Sequence, residues 1–147
     1  MQEKTFFMIK PDGVGRGLVD KIFARIEKNN LKVIAKKQLQ MTKELAANLY
    51  SPHLGKKFYD GLIDFITSGP VVCSVVEGRD AIAKVRDIMG ATDPREVAAG
   101  TVRGDLKEEN VTTPLGTIKN LVHGSDSLES ARREIAIFFK GEIGYES

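Results

Sequence analysis

The run PVVCSVVEG at 70–78 narrows the fold more than any other stretch of the chain. It is apolar almost throughout, it follows the breaker SGP, and a helical pattern comes after it. It therefore reads as a strand in a sheet that other elements must cover. The rest of the chain supplies those elements. TFFMIK (5–10) is a short aromatic strand closed by the turn PDG, and GVGRG (13–17) reads as a strand-to-helix turn. From Gly17 onward, Leu18, Ile22, Phe23 and Ile26 share one helical face, ending near Asn29 and Asn30. LKVIAKKQLQM (31–41) is a second strand. Thr42 caps a short helix over 42–50, and Phe58, Leu62, Phe65 and Ile66 mark another. Ile82, Val85 and Met89 define a helix after the apolar strand. The short run IKNLV (118–122) follows, and Leu128, Ala131, Ile135, Phe138 and Phe139 line one side of a last helix.

This order implies one antiparallel or mixed sheet covered by helices. The β-α-β-β-α-β ferredoxin-like plan fits if the short helices after the second strand are an insertion. A length of 147 residues suits a single domain over 1–147. Lys and Arg total 22 against 20 Asp and Glu, a balance that demands neither a nucleic-acid nor a membrane partner. The one cysteine, Cys73, cannot form an internal disulfide and reads as a core residue. No run approaches the ~18 apolar residues of a membrane span. The N-terminal MQEKTFFMIKPDG has no signal-peptide pattern, so the expected location is cytoplasmic. Between Gly90 and Lys119 no long periodic segment occurs, and a loop of that length usually has a function.

The chemistry concentrates at NLVHGSDS (120–127). His123 ends the apolar run and precedes DSLE, a capping-box-like helix start at Asp126 or Ser127. Backbone N–H groups and the positive end of the helix dipole would lie near the imidazole, an environment suited to phosphate. Glu134 lies beside the apolar stripe of the last helix, where its carboxylate can orient the ring. On these local features alone, a packed or capping histidine is the competing reading. His53, in YSPHLGKK, reads as a loop residue. Lys10, Arg86 and Arg103 are singly solvated charges; gathered around His123, they would describe a polyphosphate site.

KPDGV, SGPVV, GATDP, GTVRGD and NLVHGSDSLESARREI occur in this order and together closely resemble the nucleoside diphosphate kinase family over nearly the whole chain. The resemblance implies an α/β (α+β) ferredoxin-like sandwich, a four-stranded antiparallel sheet covered by helices. It also implies transfer of the γ-phosphate of a nucleoside triphosphate to a nucleoside diphosphate, by a ping-pong mechanism through a phosphohistidine. His123 matches the nucleophile, and Ser125 and Glu134 match the positions that hydrogen-bond around it. Lys10, Tyr50, Arg86, Thr92, Arg103 and Asn120 match those that hold the phosphates, the sugar and the reacting centre. Phe58 matches the aromatic stacked on the base, with Leu62 and Val122 as the apolar residues beside it. Mg²⁺ would arrive on the nucleotide phosphates, with Asp126 reaching it through water. A homo-oligomer built from dimers, tetramer or hexamer, is implied as well.

Three departures bear on assembly. LKEENVTTPLGTIK, between Asp105 and Asn120, is longer than the family's usual connection. Ala99 stands where many members have Pro, and the sequence stops at Ser147 without the C-terminal extension of longer members. Two other classes are open on fold alone, an RNA-binding module and an inactive homologue. The first lacks an aromatic RNP1-like strand and a basic stripe, and the intact motif positions speak against the second.

Overall fold

The computed structural model describes residues 2–90, 99–107, 111–114 and 116–140. Its strands are β1 (Gln2–Ile9), β2 (Lys32–Gln40), β3 (Pro70–Arg79) and β4 (Val122–Gly124). Its helices are α1 (Pro11–Gly15), α2 (Val19–Lys28), α3 (Lys43–Leu49), α4 (Tyr59–Ile66), α5 (Ala81–Met89), α6 (Val102–Leu106) and α7 (Leu128–Phe139). The sheet order is β2-β3-β1-β4, and all three pairings are antiparallel. The path β1-α2-β2-β3-α5-β4 is the ferredoxin-like plan, with α3 and α4 inserted after β2 as expected.

β1 and β3 are central, and both are buried on two faces. Phe6, Met8, Val71, Cys73 and Val75 meet Leu49, Leu62, Ile66, Ile135 and Phe138 on the side of α3, α4 and α7. Phe7, Ile9, Val72 and Val76 meet Ile22, Ile26, Val85 and Met89 on the side of α2 and α5. Period-two alternation thus feeds two cores from one strand, which is why PVVCSVV has no polar face. Its one hydroxyl, on Ser74, donates to the Phe7 carbonyl at 2.6 Å.

Several local signals act as expected. Thr42 caps α3, its hydroxyl accepting from Leu45 N at 3.1 Å. Ser127 caps α7 by accepting from Ser130 N at 3.1 Å. Three readings need correction. PDG is not a turn closing β1, nor GVGRG a plain turn into the helix, because Pro11–Gly15 forms the short helix α1. Proline suits a first helical position, where its fixed φ is already helical and its missing N–H is not needed. The run IKNLV is not a continuous strand either. β4 begins only at Val122, because Leu121 before it takes φ +71°. Within the long loop, α6 and a small hairpin supply order that periodicity did not reveal. The hairpin joins Thr112 to Ile118, with Thr113 N donating to Thr117 O at 2.9 Å.

Gly90 ends α5 with φ +89°, and a Cβ there would stand 2.7 Å from Thr101 Oγ1 and 2.9 Å from Thr101 Cβ. Gly90→Ala should therefore cost roughly 1–3 kcal/mol and lower the thermal midpoint by several degrees. An unchanged melting curve would contradict this close packing of α6 on the end of α5.

Candidate active site

His123 sits in the middle of β4, opposite Met8 of β1. Opposed residues share a face of the sheet, so the imidazole projects toward α3 and α7 while Val122 and Gly124 face α5. α7 answers with Glu134, which is 4% exposed. Glu134 Oε1 accepts from His123 Nε2 at 2.7 Å and from Ser125 Oγ at 2.8 Å. Arg133 Nη2 approaches its other oxygen at 3.4 Å. A carboxylate only accepts, so Nε2 carries the ring hydrogen and Nδ1 keeps its lone pair. Phe6 and Tyr50 pack edge-on to the imidazole, with centroids 5.8 and 5.7 Å away, and hold its plane.

A cleft of about 1060 Å³ opens beside His123. Lys10, Tyr50, Phe58, Leu62, Arg86, Arg103, Asn120, Val122, Asp126 and Glu134 all border it, so the fold gathers these expected residues around His123. Ser125 is buried behind the imidazole. Val122 has its side chain fully buried in the core on the α5 face. Thr92 lies outside the described residues.

Two cations are buried here. Lys10 is 6% exposed and donates to Asn120 Oδ1 at 2.8 Å. Burial, then the Arg103 guanidinium, bring its ammonium down to about 7, while Asp12 acts the other way. Arg103, also 6% exposed, donates through Nε to Asn120 O at 3.0 Å. Its Nη1 reaches Gly90 O at 2.9 Å and its Nη2 reaches Val122 O at 2.8 Å. Three of the five guanidinium N–H groups are thereby engaged with carbonyls, and among the described residues the other two have no protein acceptor. Burial and the nearby Arg86 lower Arg103 to about 10. Buried cations that repel one another define an anion site. Tyr50 adds a hydroxyl with no hydrogen-bond partner among the described residues. Burial, then Glu134, push its phenol above the usual range, which keeps it a proton donor. Asp126, at the rim, is held below the usual carboxylate range, chiefly by the Ser130 hydroxyl.

The structure also brings in residues that sequence reasoning passed over. His53 borders the cleft between Tyr50 and Phe58, with ring centroids 6.2 and 5.3 Å away. Its place between two expected site residues in YSPHLGKKF was the available signal. Thr117 and Ile118 of the hairpin form another part of the wall; Ile118 was read only as the start of the run IKNLV, and no pattern marked Thr117. Phe58 is 49% exposed, a large apolar ring presented to the cleft.

The class of site is therefore an anion-binding cleft in which an oriented imidazole can act as nucleophile, on a ferredoxin-like sandwich. Comparison with known proteins makes this specific. The nucleoside diphosphate kinase family profile matches residues 3–143. The chain is 50% identical over 146 residues to a nucleoside diphosphate kinase of Carboxydothermus hydrogenoformans, covering 98% of this chain and 93% of that one. It is 52% identical over 137 residues to the Listeria monocytogenes enzyme, covering 93% and 88%. Among solved structures, a halophilic nucleoside diphosphate kinase from Halobacterium salinarum in complex with CDP is similar at TM-score 0.87 and 46% identity, covering 97% of this chain and 90% of that one. An apo nucleoside diphosphate kinase from Encephalitozoon cuniculi gives TM-score 0.86 at 33% identity, covering 99% and 94%. This chain belongs to the nucleoside diphosphate kinase family and is a nucleotide-binding phosphotransferase.

The lowered pKa of Lys10 predicts proton uptake on nucleotide binding. In the free protein this ammonium loses its proton as pH rises through about 7. Phosphate placed beside it favours the charged form, so affinity should fall as pH rises through that value. Calorimetric titration with a nucleoside diphosphate near pH 7.5, in buffers of different ionisation heats, should show net proton uptake, lost in Lys10→Met. Equal heats in all buffers for the wild type would contradict it.

Proposed function

We propose that His123 Nδ1 is the phosphoryl acceptor in a ping-pong transfer between nucleoside triphosphates and nucleoside diphosphates. The single observation that supports this most is the 2.7 Å hydrogen bond from His123 Nε2 to Glu134, which leaves the other nitrogen as the nucleophile. Nδ1 attacks the γ-phosphorus in line. The N–P bond forms as the bond to the bridging oxygen breaks, and the diphosphate leaves. A second diphosphate then takes the phosphoryl group back by the reverse step. Glu134, held in turn by Ser125, steadies the positive charge that develops on the ring.

Lys10, Arg86, Arg103 and the Tyr50 hydroxyl face the phosphates, with Thr92 proposed beside them. Phosphoryl transfer needs mainly positioning and charge neutralisation, which is what this set supplies. Mg²⁺ bound to the substrate phosphates would add positive charge there. Asp126, exposed and ionised at the rim, suits a contact through water better than a direct cage. Phe58 offers a π-face that any base can use, with Leu62 beside it. Lys10 and Asn120, already hydrogen-bonded to each other, reach the ribose hydroxyls. We further infer a single domain working in the cytoplasm as an assembly of dimers, tetramer or hexamer. Cys73 is buried with its thiol pushed up to about 12, as fits an inert core residue. No helix among the described residues is long and apolar enough to cross a membrane.

Incubation with γ-labelled ATP tests the reading. The wild type should acquire an acid-labile phosphate, and His123→Ala should fold yet acquire none. Glu134→Gln should be labelled more slowly, by about tenfold or more, because the ring keeps a neutral partner but loses the charge. Full labelling of His123→Ala would overturn the mechanism. An unchanged rate in Glu134→Gln would remove Glu134 from it.

A further inference from the structure

We propose that Asp12 is a positioning residue for the phosphoryl transfer, acting through the main chain at Leu121. Leu121 is fully buried and takes φ +71°, a conformation that a branched apolar side chain rarely adopts. The chain doubles back there. Val122 N donates to Asn120 O at 2.8 Å, a bond spanning a single residue. With a left-handed central residue this is the rare and strained form of γ-turn. It lies between Asn120, which hydrogen-bonds Lys10, and the strand that carries His123. Such a conformation persists only where its surroundings over-determine it.

Three groups do so. Lys10 N donates to Leu121 O at 2.8 Å. Arg103 spans the turn from Asn120 O to Val122 O. Leu121 N donates to Asp12 Oδ2 at 3.1 Å. The first partner is main chain, and the second already borders the cleft. Asp12 does not border the cleft, so it acts on the site only through this bond or through its charge near Lys10. Without Asp12, the Leu121 N–H would be a buried donor with no strand partner, since the pairing of β1 with β4 starts at Val122. α1 is built to make the contact. Pro11 opens it, Asp12 follows, and Gly13 lets the helix lie close. A Cβ on Gly13 would stand 2.7 Å from Ile9 Cγ2 and 3.4 Å from Leu121 O. The KPDGV motif is thus explained as a staple on the turn that carries Asn120 and leads into His123.

The test rests on the reading of Asn120 as a contact to the sugar, and compares Asp12→Asn with Asp12→Glu in the full chain. Asparagine keeps an oxygen at the bonding distance and loses the charge. Glutamate keeps the charge and misplaces the oxygen by one methylene. Two quantities are read: the single-turnover rate of phosphoenzyme formation with ATP, and the ratio of dephosphorylation rates by a 2′-deoxynucleoside diphosphate and its 2′,3′-dideoxy counterpart. The ratio is taken within one variant, so a partly unfolded preparation does not alter it. Asp12→Asn should stay within about threefold of the wild type in both. Asp12→Glu should lose about tenfold or more in rate, and its ratio should fall by a similar factor, as expected for loss of a hydrogen bond to a charged group. Glutamate matching or exceeding asparagine would overturn the proposal and leave Asp12 acting by charge alone. A ratio unchanged in both variants would overturn it as well. Failure of the nucleophile assignment is separate, since it would appear as a labelled His123→Ala or an unlabelled wild type.

Discussion

One oxygen atom organises this site. Glu134 Oε1 takes hydrogen bonds from both His123 and Ser125, and through them ties α7 to β4. The carboxylate is buried, so it needs those donors, and they in turn have one orientation to adopt. The rest of the architecture serves this arrangement. β1 pairs with the three residues of β4, and its Phe6 ring stacks on Phe138 of α7 at 5.1 Å while standing edge-on to the imidazole. The His123 imidazole is therefore held by two layers of the fold.

The cations follow a different logic. Lys10 and Arg103 are nearly fully buried, and each is displaced downward by its own desolvation before any neighbour acts. A folded chain tolerates such groups when a ligand completes them. Arg103 meanwhile commits two donors to the backbone carbonyls that flank Leu121 and a third to Gly90 O at the end of α5. The same side chain thus shapes the main chain and faces the cleft. Together with Asp12 beneath the turn, it links the scaffold to the atoms that border the cleft.

Much of this was legible in the sequence. The two-sided apolar pattern of β1 and β3 announces a covered sheet, and Thr42 is readable as a cap by its chemistry alone. The motif set identified the family, and the fold gathers nearly every residue those motifs marked. What stayed hidden depends on non-local contacts. Nothing in IKNLV says that Leu121 is left-handed, because the bonds that hold it come from Lys10, Asp12 and Arg103, distant in the chain. Among the described residues, the hairpin carrying Thr117 and Ile118 has one bridge and a short reach, too little to leave a periodic trace. His53 was read as an ordinary loop residue, although Tyr50 and Phe58 on either side of it pointed to the cleft.

The regiochemistry of the phosphohistidine tests the account most directly. The hydrogen bond to Glu134 occupies Nε2, which leaves Nδ1 for the proposed phosphoryl transfer. The two isomers are distinguished by phosphorus NMR of the phosphoenzyme, unfolded in alkali and compared with authentic phosphohistidines. Nδ1-phosphohistidine at residue 123 is the expected result. Phosphate on Nε2, or on another side chain, would contradict it.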